Sequence, residues 1–435
     1  AMDVRKYVRW YAGRKGKIDA KAADSLDIDP LALETDALNG CFVKGTEKTD
    51  QTGLVTAAHY EQKDTTKVKV PRLITSPNPR YLVSLGMYIR AIEHHVMRAI
   101  DSMFGCPTVL KGLNAYGSAA AIHHMWTQFD DPVGIGADAS RFDQHVSIPL
   151  LEFEFSIYQA FFPGDDNLRK MLHAQLHPRG RGYEPDGYAS YTTHGTLTSG
   201  VPNTGIGNCL LMCSMMYAFK HQYGIKLLLA NNGDDCMIIT ERSNLHIIQQ
   251  HMPKFFLDLG FTMVMEDPVY RMEHIVFCQT QPIEVEHGVY VMCRQLVNAI
   301  AKDTVCVQSI TSKNDYQRWL AAVALGGQAL TSGIPIFQHF YLSLLRASGG
   351  KRPHYSHDVM EGGRFRMAKG LEGTFKPPSS VARYSFYLAF GITPDDQCLI
   401  EQFYSSITPH FHAIEENSEY FHHGQLWEEL IHSCN

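Results

Sequence analysis

Long uncharged apolar runs are missing from this 435-residue chain. A membrane-spanning helix needs roughly 18 or more such residues in a row. The greasiest segment, CLLMCSMMYAFKHQYGIKLLLA (209–230), is interrupted by Lys220, His221, Gly224 and Lys226. A signal-peptide pattern is missing too, because the first apolar residues are interleaved with Arg5, Lys6 and Arg9. The ten cysteines stand singly, many in apolar settings (Cys209, Cys213, Cys236), with no CxxC pair. That spacing favours reduced, intracellular thiols over a disulfide framework. HFH (410–412) and HH (422–423) could hold a zinc ion, but no cysteine pair accompanies them, so a structural metal is disfavoured. No GxxxxGK[ST] pattern occurs, which removes a Walker-type phosphate loop.

An excess of positive charge is also lacking. The formal net charge is −6. Its distribution says more than its total: residues 1–111 hold 17 Lys+Arg against 13 Asp+Glu, and the remainder holds 22 against 32. A focused basic channel is compatible with an acidic sum, and so is an ordinary solvated surface. What is plentiful is apolar material, 45% of residues, enough for a large core and two or three domains or subdomains.

Periodicity outlines an α+β chain. Residues 81–103, 147–162 and 204–219 have helical patterns, the last apolar nearly all round. VGIGADASRFD (133–143) reads as a short strand and a turn. KLLLANNGDDCMIIT (226–240) has two apolar strands around a glycine-containing turn, hence a β-hairpin. SNLHIIQQHMPKFFLDLGF reads as a helix capped by Ser243 and closed at Gly260, with Pro253 inside it. IVFCQTQPI and GVYVMCR form a second hairpin, and beyond about residue 300 the pattern is mostly helical. Between those helices lies a Gly/Arg-rich loop (349–373). Its Arg352, His354, Tyr355, His357, Arg364, Arg366 and Lys369 combine groups that can stack and groups that can hold phosphate, and suit a binding platform as well as a mobile surface loop.

The chemistry concentrates at two acid-tipped elements. Asp138 ends an apolar strand, with Asp143 five residues later, and Asp234 and Asp235 occupy the hairpin turn. If the two strands are neighbours, Asp138 and Asp234 face one another, and paired carboxylates repel unless a proton or a cation joins them. Mg²⁺ accepts hard oxygen ligands, commonly one or two carboxylates plus substrate phosphates. Two such ions suit in-line phosphoryl displacement. A DD turn also follows from turn propensity alone, but DASRFD upstream makes that reading the weaker one. TSGVPNTGIGN (198–208) adds a small-residue loop running into a helix, with Thr204 and Asn208 one turn apart, positions that also suit helix capping.

GADASRFDQHVS, SGVPNTGIGNCLLM and NNGDDCMII resemble, in order and spacing, motifs A, B and C of viral RNA-dependent RNA polymerases, closest to the tombusvirus-like group of positive-strand RNA viruses. CFVKGTEK (41–48) with KVPRLITSPNPRYLVSLGMYI (69–89) is similar to the basic finger motif F, and EDPVYRMEHIVFCQTQPI (266–283) to the D–E region. The resemblance implies a right-hand polymerase: fingers in 1–125 and 156–195, an antiparallel-sheet palm in 126–155 and 196–292, and a mostly helical thumb in 293–435. It implies Asp138 and Asp234, supported by Asp235, as ligands of two Mg²⁺ or Mn²⁺ ions. Asp143 and Asn208, aided by Ser199 and Thr204, would recognise the ribose, and Lys69 and Arg72 would clamp the triphosphate. Lys44, Lys48, Gly200 and the primer-grip residues Cys278 and Gln279 would meet RNA. The implied partners are RNA template, nascent RNA, nucleoside triphosphates and a membrane-anchoring viral replication protein, at membrane-associated replication complexes in the host cytoplasm.

One departure stands out. Many such polymerases carry a basic residue in motif D, yet LGFTMVMEDP (259–268) has none; Lys254, Arg271 and His274 are nearby. No membrane-targeting, helicase or capping module is recognisable, so an isolated polymerase module, a piece of a longer chain, or a missing partner is expected. A reverse transcriptase shares the palm but commonly has an aromatic residue before the acid pair and a bulky sugar wall, where this chain has Asn232-Gly233 and Asp143. A catalytically idle RNA-binding scaffold is the remaining rival, against which the retained acids argue.

Overall fold

The computed structural model describes residues 37–43, 73–184, 187–304, 312–353 and 367–409. The elements begin with β1 (Asn39–Val43), β2 (Leu73–Ser76), α1 (Pro79–Phe104), α2 (Ala115–Trp126) and β3 (Pro132–Ala139). The short α3 (Phe142–His145) follows, then α4 (Ile148–Phe161), α5 (Asp166–His173), β4 (Arg179–Glu184) and β5 (Gly187–Thr192). Next come α6 (Thr204–Gln222), β6 (Leu227–Asn232), β7 (Asp235–Glu241), α7 (Leu245–Asp258) and β8 (Met263–Met265). The remainder is β9 (Thr280–Glu286), β10 (Val289–Arg294), α8 (Leu296–Asp303), α9 (Lys313–Leu330), α10 (Phe337–Ala347), α11 (Ser380–Phe390) and α12 (Pro394–Ser406). Mixed helix and sheet was expected. No helix among the described residues is long and apolar enough to cross a membrane.

The chain divides into two compact units. The first holds β1, β2, α1 and the elements from β3 to β8. Its site-bearing sheet has the order β6-β7-β3-β8 and is antiparallel throughout. Val133, Ile135 and Ala137 of β3 are buried, as are Leu227, Leu229, Ile238 and Ile239 of the hairpin, so apolar burial holds the sheet. α6 is buried nearly all round, from Ile206 and Cys209 to Met216 and Phe219, as befits a core helix. A second sheet, β2-β1-β4-β5, lies in the same unit.

Local signals explain where the helices start. α1 begins at Pro79 behind Asn78, whose side chain accepts a hydrogen bond from the Arg80 amide (2.9 Å), and it ends at left-handed Gly105. The helix over 245–258 starts differently from the sequence reading. Arg242–Asn244 form a 3₁₀ turn, so Asn244, not Ser243, precedes the helix, and neither residue supplies a side-chain cap. Gly260, at φ 94°, does close it.

The second unit takes in Gly112–His123, most of α2, and the chain from Met272 on, so β9 and β10 belong with the helices α8 to α12. The Glu284 amide donates to Ser385 Oγ (2.9 Å) and Ser379 Oγ donates to the Val285 carbonyl (2.9 Å), fastening α11 to the hairpin. Buried Asp303 accepts from Arg294 (2.8 Å) and from the Tyr341 hydroxyl (2.7 Å). The Tyr341 ring fills the space that a Cβ at Gly327 would need.

Candidate active site

β3 pairs with β7, and the register sets Asp138 opposite Asp235. Asp234 lies one residue further out in the two-residue turn between β6 and β7. The ladder partner of Asp138 is thus Asp235, while Asp234, expected to face Asp138, sits in the adjoining turn and is the charge that acts on its carboxyl. Gly233 takes φ 96°, a left-handed value that glycine adopts without strain, as the first central position of such a turn favours. Asn231 braces the turn from beneath: its Nδ2 donates to the Gly233 carbonyl (2.7 Å) and its Oδ1 accepts from the Gly233 amide (3.1 Å). All three aspartates are exposed at the sheet's end, while Ala137 and Cys236 beside them are buried.

The acids repel one another. Burial pushes the Asp138 carboxyl up, and the Asp234 charge adds to the rise. Glu266, just beyond β8, joins them: its carboxyl is raised by burial, then by Asp235 and Asp138. Its side chain lies in the space a Cβ at Gly136 would occupy, so Gly136 makes room for it on β3. The sequence reading missed Glu266; the signal was an acid three residues beyond the start of a strand too short to show a period.

This donor set suits a hard divalent cation, since every available ligand atom is a carboxylate oxygen. Among the described residues, no three or more histidine, cysteine or acidic side chains are placed so that they alone could hold a metal ion. An open carboxylate edge is what a hard ion shared with substrate phosphate and water requires.

α6 and the turn after β3 bring the next pair together. Asn208 Nδ2 donates to Asp143 Oδ1 (2.8 Å). Asn208 Oδ1 is buried and has no hydrogen-bond partner. Burial pushes the Asp143 carboxyl up; the bond from Asn208 opposes this, Asp234 reinforces it, and Lys111 opposes it. The Asp143 backbone is held too, its carbonyl accepting from the Leu197 amide (2.7 Å).

Lys111 is a second residue that the sequence reading missed. The segment before it runs alongside β6: the Asn231 amide donates to the Thr108 carbonyl (2.8 Å) and the Leu110 amide to the Asn231 carbonyl (2.9 Å). That pairing delivers the Lys111 ammonium to the first turn of α6, where it donates to the Gly205 carbonyl (3.1 Å). A Cβ at Gly205 would collide with it. A lone lysine between GCPTVL and GLN carries no pattern that spacing could reveal.

The loop before α6 is bound to β2. The Thr75 amide donates to Ser199 Oγ (3.1 Å). Gly200 lies so close to the Thr75 carbonyl that a side chain there would displace backbone. Thr204 turns inward: its hydroxyl donates to the Thr198 carbonyl (2.5 Å), with the Val201 carbonyl at 3.1 Å. Behind them Asn203 Nδ2 donates to Glu154 Oε1 (2.9 Å). The Glu154 carboxyl is fully buried, abuts Gly207 of α6, and keeps its Oε2 unpartnered.

Asp138, Asp143, Ser199, Gly200, Thr204, Asn208, Asp234 and Asp235 therefore lie in one unit, on connected elements. Cys278 and Gln279 form a tight turn in the other unit, both at positive φ (50° and 59°), between Phe277 and Thr280. Lys44, Lys48, Lys69 and Arg72 lie outside the described residues, as do His354, Tyr355, His357, Arg364, Arg366 and the histidines of 410–423. Near the missing motif D cation, Lys254 pairs with Asp258 (2.9 Å) on α7, and His274 in the second unit bonds the Leu388 carbonyl (3.0 Å).

The acid-tipped antiparallel sheet thus lies with an apolar helix in one compact unit, and comparison with known proteins assigns the chain to a family. The family model described as viral RNA dependent RNA polymerase matches residues 1–412, and the chain belongs to that family. It is 39% identical over 419 residues to the RNA-directed RNA polymerase of Oat chlorotic stunt virus (isolate United Kingdom), covering 93% of this chain and 54% of the relative. It is 39% identical over 397 residues to that of Tomato bushy stunt virus (strain Cherry), covering 91% of this chain and 46% of the relative. With the enzyme of Turnip crinkle virus the identity is 37% over 408 residues, 92% of this chain and 50% of the relative. The chain spans about half the length of these relatives.

Proposed function

We propose that this chain is the catalytic part of a polymerase that copies an RNA template from ribonucleoside triphosphates, replicating a positive-strand RNA virus genome. The supporting observation is the Asp143–Asn208 pair beside the acid tips, with one buried acceptor left open at Asn208 Oδ1. A ribose 2′-hydroxyl is a donor of the right size for that acceptor. A site built to bond a hydroxyl rejects the analogue that lacks it, because its own polar groups stay unpaired.

Asp138 and Asp234, with Asp235 and Glu266 beside them, would hold Mg²⁺ or Mn²⁺. Two bound ions would supply charge neutralisation for phosphoryl displacement. The chain's own residues do the positioning. Asn208 holds Asp143 in place; Lys111 keeps a positive charge near Asp143; Ser199, Gly200 and Thr204 fix the loop from which α6 starts. Lys69, Arg72, Lys44 and Lys48 are assigned to phosphate and RNA on the family resemblance. The sheet β6-β7-β3-β8 would be the palm, with fingers in 1–125 and 156–195 and a thumb in 293–435. Cys278 and Gln279 are assigned to the primer grip. The setting is the host cytoplasm, at replication complexes reached through a membrane-anchoring viral protein.

Primed extension with labelled nucleotides tests the reading, through the ratio of kcat/KM for GTP and dGTP opposite a templating C. Wild type should strongly prefer GTP. Asn208→Ala or Asp143→Ala should reduce that preference by about 1–3 kcal/mol, mainly through poorer use of GTP. Unchanged ratios in both variants would remove these residues from sugar selection, and absence of any RNA-templated synthesis would remove the function.

A further inference from the structure

The hairpin of β4 and β5 has no part in the site just described. β5 is the edge strand of its sheet and is exposed along its whole length. The register pairs Arg179 with Thr192, Arg181 with Ser190 and Tyr183 with Tyr188. Since directly paired residues share a face and alternate residues along a strand share it too, these six side chains lie on one side of the hairpin. The other side is different: Tyr191 covers Gly180 there. On β1 the neighbour of Arg181 is Gly40, which contributes no side chain to the first face.

That face is built for display. Tyr183 and Tyr188 are 71% and 63% exposed, values unusual for aromatic residues on a regular strand pair. Their ring centroids lie 6.2 Å apart, and the Arg181 guanidinium stands 4.7 Å from the centre of the Tyr188 ring. Arg181 Nε is covered and has no hydrogen-bond partner. Arg179 is exposed. Aromatic faces interleaved with guanidinium groups match what an unpaired nucleic-acid strand offers: bases that stack and phosphates that carry charge.

We propose that the Arg179–Arg181–Tyr183–Tyr188 face is a docking surface for single-stranded RNA, separate from the acid-tipped centre. The bases stack on the two tyrosines, and the arginines meet the backbone. The identity of the nucleic acid rests on the polymerase reading; the surface itself does not.

The test is binding of a labelled, unstructured RNA oligonucleotide to the whole chain by fluorescence anisotropy, without nucleotides or added metal, so that it reads independently of synthesis. Tyr183→Ala/Tyr188→Ala should weaken binding by ~10-fold or more, while Tyr183→Phe/Tyr188→Phe should retain it. Arg179→Gln/Arg181→Gln should flatten the dependence of log affinity on log salt by about 0.7 per lost phosphate contact. Blunt duplex RNA, whose bases cannot stack on the protein, should bind the tyrosine variants as it binds wild type. Single-nucleotide incorporation on a short primed template should keep its kcat and nucleotide KM. Unchanged single-strand affinity in the alanine variant overturns the proposal, and so does equal loss for duplex and single strand. Dimers of wild type that the alanine variant abolishes, with RNA affinity intact, would reassign the exposed edge to self-association. Loss of single-nucleotide incorporation would overturn the separation of this face from the acid-tipped centre.

Discussion

Replacing Glu154 by glutamine should change how stability depends on pH, and the magnitude follows from its surroundings. Its carboxyl sits fully buried under the start of α6, with Asn203 as its one hydrogen-bonded partner. Burial pushes it up to about 7 from an ordinary 4.5, against the opposing bond from Asn203; the Tyr158 hydroxyl opposes the rise from nearby without a well-formed hydrogen bond. Between these values the folded chain keeps a proton that the unfolded chain has released. Stability from this group is therefore fully present below about pH 4.5, falls as pH rises through about 7, and is level above it. The gap converts to about 3 kcal/mol in all. Glutamine keeps the acceptor for Asn203 and removes the titration. Urea unfolding of the first unit, followed by tyrosine and tryptophan signals over pH 5–8.5, should show the wild type losing stability relative to Glu154→Gln as pH rises. The protonated-carboxyl infrared band should persist past pH 6 in wild type and be weaker in the variant by one group. Parallel pH profiles, or no difference in that band, would refute the reasoning.

Three further outcomes are expected. Asp234→Asn should lower incorporation by orders of magnitude while leaving RNA affinity nearly unchanged, because a ligand charge is lost at constant size; near wild-type elongation in Mg²⁺ would contradict it. Lys111→Met should raise the KM for ribonucleotides more than for deoxyribonucleotides, most at low pH, since the Asp143 carboxyl is already raised by burial and loses an opposing cation; a pH-independent change would show that Lys111 acts only on the Gly205 carbonyl. Gly327→Ala should destabilise the second unit by about 1–3 kcal/mol through overpacking against the Tyr341 ring, visible as a lower thermal midpoint; added to Tyr341→Ala it should lower the midpoint little further.

The elements that carry the acids were legible because their signals were long and consistent. The strand ending at Asp138, the apolar helix beginning at Thr204 and the hairpin around Gly233 appear within a few residues of their expected bounds. So does the second hairpin, and the helices from 313 to 406 follow the expected pattern. The peripheral sheet was not legible. GYASYT is exposed throughout and RGRGY buries only glycine, so neither shows an apolar alternation, and β1 and β2 are too short for a period to emerge. Pairing was the other gap. Only the three-dimensional order β6-β7-β3-β8 reveals that Asp138 meets Asp235 and that Glu266 comes to rest on Gly136. Lys111 was invisible for the same reason, since its placement depends on backbone pairing with Asn231 across more than a hundred positions.

The central position of β3 has a consequence for the timing of synthesis. Asp138 leaves the ribosome before the strands on either side of it, which end at Glu241 and Met265. Until both have emerged, β3 lacks at least one of its two ladders and the sheet that carries the acids is incomplete. At usual rates of elongation the interval is on the order of ten seconds. Through that interval the acid-bearing sheet is incomplete, so the site assembles only once all four of its strands are available to pair, whatever the order in which its acids are made.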